Sequence, residues 1–538
     1  MRMSLVGAFA LAAVTSVAAQ KETAWFGTPL PPPLSDPRKP VLKYDDVFAP
    51  LPTHFAHRTK ADELLDGAAL KRDHRTVVDF SLESLAAGDK VWGRRAGTPA
   101  FMHTLDWTAS AMKAAGLKDA HVETYPVQGT MWVPETWSVQ LIGDATFGAG
   151  TQDVTLQSAF PQQGGTSTPA GGITAPIVYV GHGTDADLAG RDVKGKIAIL
   201  RVRPEPSLFG AGEQGVARHL AELGAVGVIN AIEGPGNAQY IDTRFAAGAT
   251  PAFIIGGNGA WFLTQVIGKA AAAGALDTLK MRLTLTSTEK SGLTSGNVIA
   301  TIPGKSSKRI IVNAHADGFF QGGDDNASGM AVLVGLAKYF AKQPQPTHTL
   351  MFVASGGHHG PGNGPTSLVN AHPELKDTLL IINLEHVAYL DAVRGKTRAP
   401  NNIGMTWETS VTESAKAVGV TNMSPFLIDV WSRAPKCFGV AVYQSAGTTV
   451  SGDLGGYRPL NVPMTQMIQS GTFYHSSGDV FEQVPAEGLE RAARFHAYLI
   501  EQVDRADESL VTSGAGTPYR STLGACPAGA VPSSPTQF

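Results

Sequence analysis

The stretch Val312-Asn-Ala-His315-Ala-Asp317, followed by Gly322-Gly-Asp-Asp325-Asn326-Ala-Ser-Gly329, constrains the fold more than any other part of the chain. A run of apolar residues, Ile310 to Val312, ends in a His and an Asp two apart. A Gly-rich turn then presents two more Asp and opens a helical pattern. An apolar strand that hands polar side chains to a loop in this way belongs to a sheet covered on both faces. The loops at the carboxyl ends of such strands form the open edge where ligands bind.

The surrounding chain repeats the pattern. From Ser295 onward, strand-like runs (Asn297 to Ile302, Arg309 to Asn313, Thr349 to Ala354, Leu379 to Leu384) alternate with helical ones. The latter include Asn326 to Tyr339, with Met330, Leu333, Leu336 and Ala337 on one face, and Glu487 to Glu508. Apolar strands alternating with helices predict an α/β three-layer sandwich around a mixed β-sheet. At 538 residues the chain is too long for one compact core. Residues 61–150 and 291–509 read as the discontinuous main domain, with a helical pattern from Ala61 to about Leu117. Residues 151–290 open on a Gln/Gly/Ser/Thr/Pro-rich boundary and continue as short strands, which predicts an inserted β-rich module. Residues 21–60 are Pro-rich, with prolines at 29, 31–33, 37, 40, 50 and 52, and predict an extended surface segment. Residues 510–538 read as a loose tail.

Residues 1–20 read as a secretory signal. Arg2 supplies the positive start, Leu5 to Val17 is apolar but too short to span a bilayer, and Val17-Ala18-Ala19 offers small residues for cleavage. The expected location is therefore secreted or periplasmic. No later stretch has the apolar length of a membrane helix. A formal net charge of -3 gives no electrostatic case for nucleic acid or an acidic membrane surface. Two cysteines, Cys437 and Cys526, either pair across a long loop or stay free; they form no zinc site of their own.

Each strand end in the last half delivers a candidate metal ligand. These are His315, with Asp317 beside it, then Asp325, then His358 and His359 after Phe352-Val-Ala-Ser355. Glu385 and His386 follow Ile381-Ile-Asn-Leu384, and His475 lies in Phe473-Tyr474-His475-Ser-Ser-Gly-Asp479. Carboxylates and imidazoles are the usual non-sulfur ligands of zinc, and water on such an ion is acidic enough to act as a nucleophile near neutral pH. Any one of these histidines taken alone is more often a hydrogen-bonded structural residue than a ligand. His386 is expected to be structural, because on a continuing strand it points away from Glu385. Asp324 is assigned to the turn. Asp479 either orients the His475 loop or starts a turn, and Asp453 is either a pocket wall or a turn residue. Trp261, Trp407 and Trp431 are assigned to packing.

The ordered set His315-Ala-Asp317, Gly-Asp-Asp325-Asn-Ala-Ser-Gly329, Asn383-Leu-Glu385 and Tyr474-His475-Ser-Ser-Gly-Asp479 resembles the motifs of the secreted zinc aminopeptidases. That family includes bacterial leucine aminopeptidases, glutamate carboxypeptidases and glutaminyl cyclases. Gly97-Thr98-Pro99 to Gly116-Leu117 resembles its opening helix. Val193-Lys-Gly-Lys196-Ile-Ala-Ile-Leu and Ala225-Val-Gly-Val-Ile229 resemble the protease-associated domain often inserted in such enzymes. The resemblance implies one or two zinc ions, with His315 on one, Asp325 bridging, Glu385 on the first and His475 on the second. It implies that Asp317 hydrogen-bonds His315 and fixes its tautomer.

The pattern departs at His358-His359, where the family carries two adjacent glutamates, a general base and a metal ligand. His359 can replace a carboxylate ligand, and His358, with an ordinary pKa of about 6.5, suits a base at neutral pH. Two zinc ions bring about four positive charges, of which Asp325 and Glu385 leave about two uncompensated, so the second ion is expected to bind more weakly. The leading expectation is a zinc-dependent hydrolase of peptides or other small amides, aminopeptidase-like. Two others stay open: a catalytically silent homologue that binds without turnover, and a relative acting on non-peptide amides or in cyclisation.

Overall fold

The computed structural model describes residues 23–42, 55–202, 215–396, 405–469, 471–527 and 530. The signal segment, Pro50, Pro52 and the Trp407 side chain lie outside what is described. The chain forms two compact units. The smaller takes in residues up to 35 and 134–288, apart from 206–208; the larger is built from 36–133 and 289 onward.

The larger unit holds an eight-stranded sheet. Its strands are β1 (His121–Pro126), β2 (Thr294–Ile302), β3 (Ser306–His315), β4 (His348–Ser355), β5 (Thr378–Leu384), β6 (Lys416–Val420), β7 (Val442–Gly447) and β8 (Met464–Ile468). Their order is β7-β6-β8-β5-β3-β4-β2-β1. Strands β8, β5, β3 and β4 run parallel to one another, while β2 is antiparallel to β4 and β1, and β6 to β8. The middle strands are apolar throughout because both faces are covered. Ile310, Val312 and Ala314 point into one core with Leu350, Phe352, Ile382 and Leu384. Ile311, Met351, Val353 and Ile381 point into the other. This is the period-two alternation of a strand read on both of its sides.

Helices α1 (Gly67–Ala86), α2 (Pro99–Ala115), α3 (Gly329–Phe340) and Ala486–Arg505 contribute to the first core, whereas Gly364–Ala371 and Leu454–Tyr457 contribute to the second. Eleven of the twelve α3 residues are buried, all but Lys338, so this helix has no solvent face at all. It starts three residues later than its apolar spacing predicts. Asp325 and Asn326 have non-helical backbone angles, and residues Gly323–Ser328 form a wider turn ahead of it. Among the described residues no helix is long and apolar enough to cross a membrane.

In the smaller unit, Ile173–Tyr179, Ile197–Val202, Gly227–Ile232 and Ala252–Ile255 run parallel at the centre of a second eight-stranded sheet. The unit begins at 134 rather than near 150. Met131–Leu141 lies between Val154–Thr155 and Lys280–Lys290 in this sheet and carries the chain into it before the Gly-rich boundary is reached. It also holds the helix Gly257–Ala272, whose Phe262, Leu263 and Val266 are buried. Trp261 on that helix is 51% exposed, contrary to the packing role expected of it, because its position turns away from that apolar face. Trp431 is buried. The Pro-rich extension is anchored, with Trp25 stacked on Phe147 at 5.5 Å.

The C-terminal residues are not loose as far as they are described. Cys437 and Cys526 form a disulfide, Asn422 Nδ2 donates to the carbonyls of Val511 and Ser513, both at 2.8 Å, and Tyr519 donates to Asp429 at 2.9 Å. Composition alone could not show these distant partners.

Candidate metal centre

The parallel strands of the larger unit end on one edge, and β4 and β5 flank β3 on opposite sides. Loops leaving β3 and its neighbours therefore diverge and leave a crevice. His315 is the last residue of β3, His358 and His359 follow β4, and Glu385 and His386 follow β5. Asp325 arrives on the Gly322–Ser328 turn and His475 on the loop after β8.

Asp325 is the hub. Its Oδ1 lies 3.2 Å from His315 Nε2, 2.9 Å from His359 Nε2 and 3.1 Å from His386 Nε2. Its Oδ2 lies 3.2 Å from His475 Nε2. Two sets of three donors, each mutually within 4.8 Å, share it: His315, Asp325 and His386 on one side, Asp325, His359 and His475 on the other. A third set joins His315, His358 and His359. His315 Nε2, His386 Nε2 and Asp325 Oδ2 are buried and make no hydrogen bond. Buried polar atoms are normally paired, so these converging lone pairs form a place that a cation would satisfy. A divalent ion with imidazole and carboxylate ligands fits this donor set.

The loop bearing Asp325 is held from below. Asp479 accepts the amide of Asp324 at 2.7 Å and that of Asp325 at 3.1 Å. His74 reaches the Gly323 carbonyl at 2.8 Å. The buried Arg94 guanidinium donates to the carbonyls of Ala316, Gln321 and Gly322 and to Ser81 Oγ. Asp324 turns from the hub to accept from Gln469 Nε2 at 2.5 Å. Burial and the nearby Asp479 push its carboxyl well above the ordinary range. Burial likewise raises Asp479 to about 6, against the two amides it accepts. Asp325 goes the other way: burial opposes its charge, but the imidazoles of His359 and His386 hold it well below the usual carboxylate value.

Residues 297–500 match the model of peptidase family M28. This part of the chain is similar to the M28 peptidases. Over 113 residues the chain is 32% identical to the alkaline phosphatase isozyme conversion protein of Escherichia coli (strain K12), a stretch covering 18% of this chain and 32% of that relative. Among solved structures it resembles the aminopeptidase from Aneurinibacillus sp. strain AM-1 (TM-score 0.54, 22% identity, 86% of this chain and 99% of that one). It also resembles the peptidase M28 precursor from Shewanella amazonensis SB2B (0.59, 20%, 84% and 97%). A third is BSAP, a zinc aminopeptidase from Bacillus subtilis (0.54, 20%, 83% and 98%). At these identities the likeness is one of fold.

Within residues 297–500, the geometry differs from the sequence expectation at four places. Glu385 joins none of the three donor sets. Its Oε2 accepts from Asn383 Nδ2 at 2.7 Å, and its Oε1 lies 3.7 Å from His358 Nε2. His386, expected to point away, faces the hub, because the strand stops at Leu384 and His386 takes a left-handed backbone (φ 51°). The nearest acceptor for His315 Nδ1 is the Asp317 carbonyl at 3.0 Å, with the Asp317 carboxylate farther off at 3.7 Å; that carboxylate accepts the His359 amide at 2.6 Å. Asp453 is neither wall nor turn alone. Its Oδ1 pairs with His358 Nδ1 at 2.9 Å, and its Oδ2 accepts from Asn313 Nδ2 at 3.0 Å and from Ser355 Oγ. Arg94 and His74 carry no local signal of their role; both act through partners more than 200 residues away.

Proposed function

We propose that the chain is a secreted, zinc-dependent hydrolase of amide bonds, aminopeptidase-like, that acts on peptides or other small amides. The observation that carries this reading is the pair of three-donor sets sharing Asp325 on the ligand-binding edge of the part of the chain similar to the M28 peptidases. His315, Asp325, His359 and His475 would hold the metal. Zinc, when bound, polarises a carbonyl and lowers the pKa of water to near neutrality.

His358 is the proton carrier in this reading. At 16% its side chain is the most exposed of the five imidazoles at the site, the others lying between 0% and 10%. It stacks on His315 with ring centroids 4.1 Å apart. Asp453 fixes its Nδ1–H, so Nε2 carries the lone pair. Burial and His315 push the His358 pKa down, but the Asp453 and Glu385 carboxylates outweigh them and raise it above the ordinary value. An imidazole so placed takes a proton from the attacking water and hands it to the leaving amine. Asp453 is itself buried and held by a network in which Tyr457 donates to Asn313, and Asn313 to Asp453 and Asn383.

The test is hydrolysis of amino-acyl anilides and short peptides by purified protein, stripped with chelator and then reloaded with zinc. Turnover that disappears on stripping and returns with zinc is expected. Bound metal without turnover across the panel would sink the hydrolase reading and leave a binding role.

A further inference from the structure

We propose that His386, not Glu385, completes the metal half-site formed with His315 and Asp325. This assignment rests on the zinc reading above and specifies its donor set. Three observations converge on it.

The first is position. His386 Nε2 lies 3.1 Å from Asp325 Oδ1, alongside His315 Nε2 at 3.2 Å, and the three residues form one mutually close set. The second is the other ring nitrogen. A histidine that ligates through Nε2 donates its Nδ1–H to a fixed acceptor, which sets the tautomer and the ring plane. His386 Nδ1 contacts the Gln469 carbonyl, just as His315 Nδ1 contacts the Asp317 carbonyl. Both rings therefore present a bare, buried Nε2 with no hydrogen bond of its own. The main-chain amide of His386 also donates to Asn326 Oδ1 at 3.3 Å, and Asn326 Nδ2 donates to the Leu384 carbonyl at 2.9 Å. These bonds tie the turned-back residue to the neighbour of Asp325.

The third is what Glu385 does instead. Asn383 holds one carboxylate oxygen, and the other faces His358. The carboxylate packs against Gly452, where a Cβ would fall 2.4 Å from Oε2. Glu385 is thus fitted to the side of the proton carrier, and the cage keeps one carboxylate, Asp325, among four imidazoles. Neutral imidazoles offset no charge, so two zinc ions would leave about three positive charges uncompensated. One tight ion and a weaker second one follow. A nitrogen-rich set also favours zinc, copper, nickel or cobalt over manganese or magnesium.

The experiment is calorimetric titration of metal-stripped protein with Zn2+, repeated with Co2+ while the visible absorption of the cobalt is followed. It compares the full chain with His386→Asn and Glu385→Gln. H386N should lose one binding step, or weaken it by at least about tenfold, and alter the cobalt spectrum, since even outer partners of a ligand are worth roughly 10–100-fold. E385Q should keep both steps within about threefold. Loss of a step in E385Q, alone or together with H386N, overturns the assignment, as does an unaffected H386N. If H386N does not fold, by circular dichroism and melting, His386→Glu supplies a replacement ligand. Retained binding in H386E supports the assignment, and lost binding overturns it. A parent chain that takes up no zinc overturns the zinc reading itself, and this assignment with it, before any variant is compared.

Discussion

Replacing Arg94 tests whether the metal loop is shaped by a buried cation. The guanidinium is fully buried and donates to Ala316 O at 3.0 Å, Ser81 Oγ at 2.6 Å, Gln321 O at 2.7 Å and Gly322 O at 3.2 Å. Burial lowers its pKa to about 10, with Asp325, Asp317 and Asp479 pulling the other way, so it stays charged at neutral pH. Arg94→Leu removes three charged hydrogen bonds to carbonyls. Gln321 O keeps the Ser81 hydroxyl and Gly322 O keeps the Ala327 amide, which limits the damage. At about 1.5 kcal/mol for each charge-assisted bond, the loss comes to about 4–5 kcal/mol. Hydrogen exchange read by mass spectrometry on peptides covering 316–328 isolates this loop from the rest of a chain with two compact units. Its opening equilibrium should rise roughly thousandfold, since each 1.4 kcal/mol is a factor of ten. Arg94→Lys should recover less than half, because one ammonium cannot span carbonyls on both sides of the turn. Exchange within tenfold of the parent in R94L would refute the clamp.

Three further outcomes are expected. Cys526→Ser opens a loop whose ends are 89 residues apart; by chain entropy this removes up to about 4–5 kcal/mol, and a calorimetric loss below about 1 kcal/mol would show that the tail gains nothing from the link. His496 is buried between Trp431 and Phe495, and burial lowers its pKa to about 4. The unfolded chain therefore binds a proton that the native chain refuses between pH 6.5 and about 4, so stability falls with pH across that window, by about 3 kcal/mol in all; His496→Phe should flatten that part of a pH series of denaturation midpoints, and an unchanged slope counts against it. Asp453→Asn replaces the carboxylate that pairs with His358 by a neutral amide, removing the charge that favours its imidazolium, and kcat should drop roughly 10–100-fold with KM little changed; steady-state kinetics showing the reverse split would move Asp453 from orientation to substrate binding.

The fold was readable because its signals are local. The apolar runs of β3, β4 and β5 and the residues at their ends are contiguous in sequence, and His315, Asp325, His359 and His475 come together where those strand ends predict. What could not be read depends on distant partners. The period-two argument sends His386 away from the site only if β5 continues, and nothing in Glu385-His386-Val387 announces a left-handed residue. That conformation is tied to the Gln469 carbonyl, 83 residues away, and to Asn326, 60 residues away. Likewise the smaller unit starts at 134 because Met131–Leu141 takes its place beside Lys280–Lys290, a neighbour from the far end of the insertion.

The partners of the ring nitrogens separate two kinds of histidine at this site. His315 and His386 each set Nδ1 against a main-chain carbonyl, which accepts a hydrogen bond but carries no full charge. Such a ring has its tautomer fixed through Nδ1, which suits a donor that binds a metal through Nε2; with no ion bound, carboxylates favour the protonated rings against burial, Asp317 and Asp325 at His315 and Asp325 at His386, so metal binding there would release protons. His358 sets Nδ1 against the carboxylate of Asp453, with Glu385 facing its other nitrogen. A carboxylate partner stabilises the imidazolium, which suits a ring that must accept a proton and release it within one cycle. Replacing the family's glutamate pair by two histidines therefore leaves two different imidazoles. His359 has its amide fixed by Asp317 and its ring aimed at Asp325, while His358 is backed by acid on both sides. In the proposed reading, Glu385 therefore acts with Asp453 on His358, the proposed proton carrier, rather than on a metal.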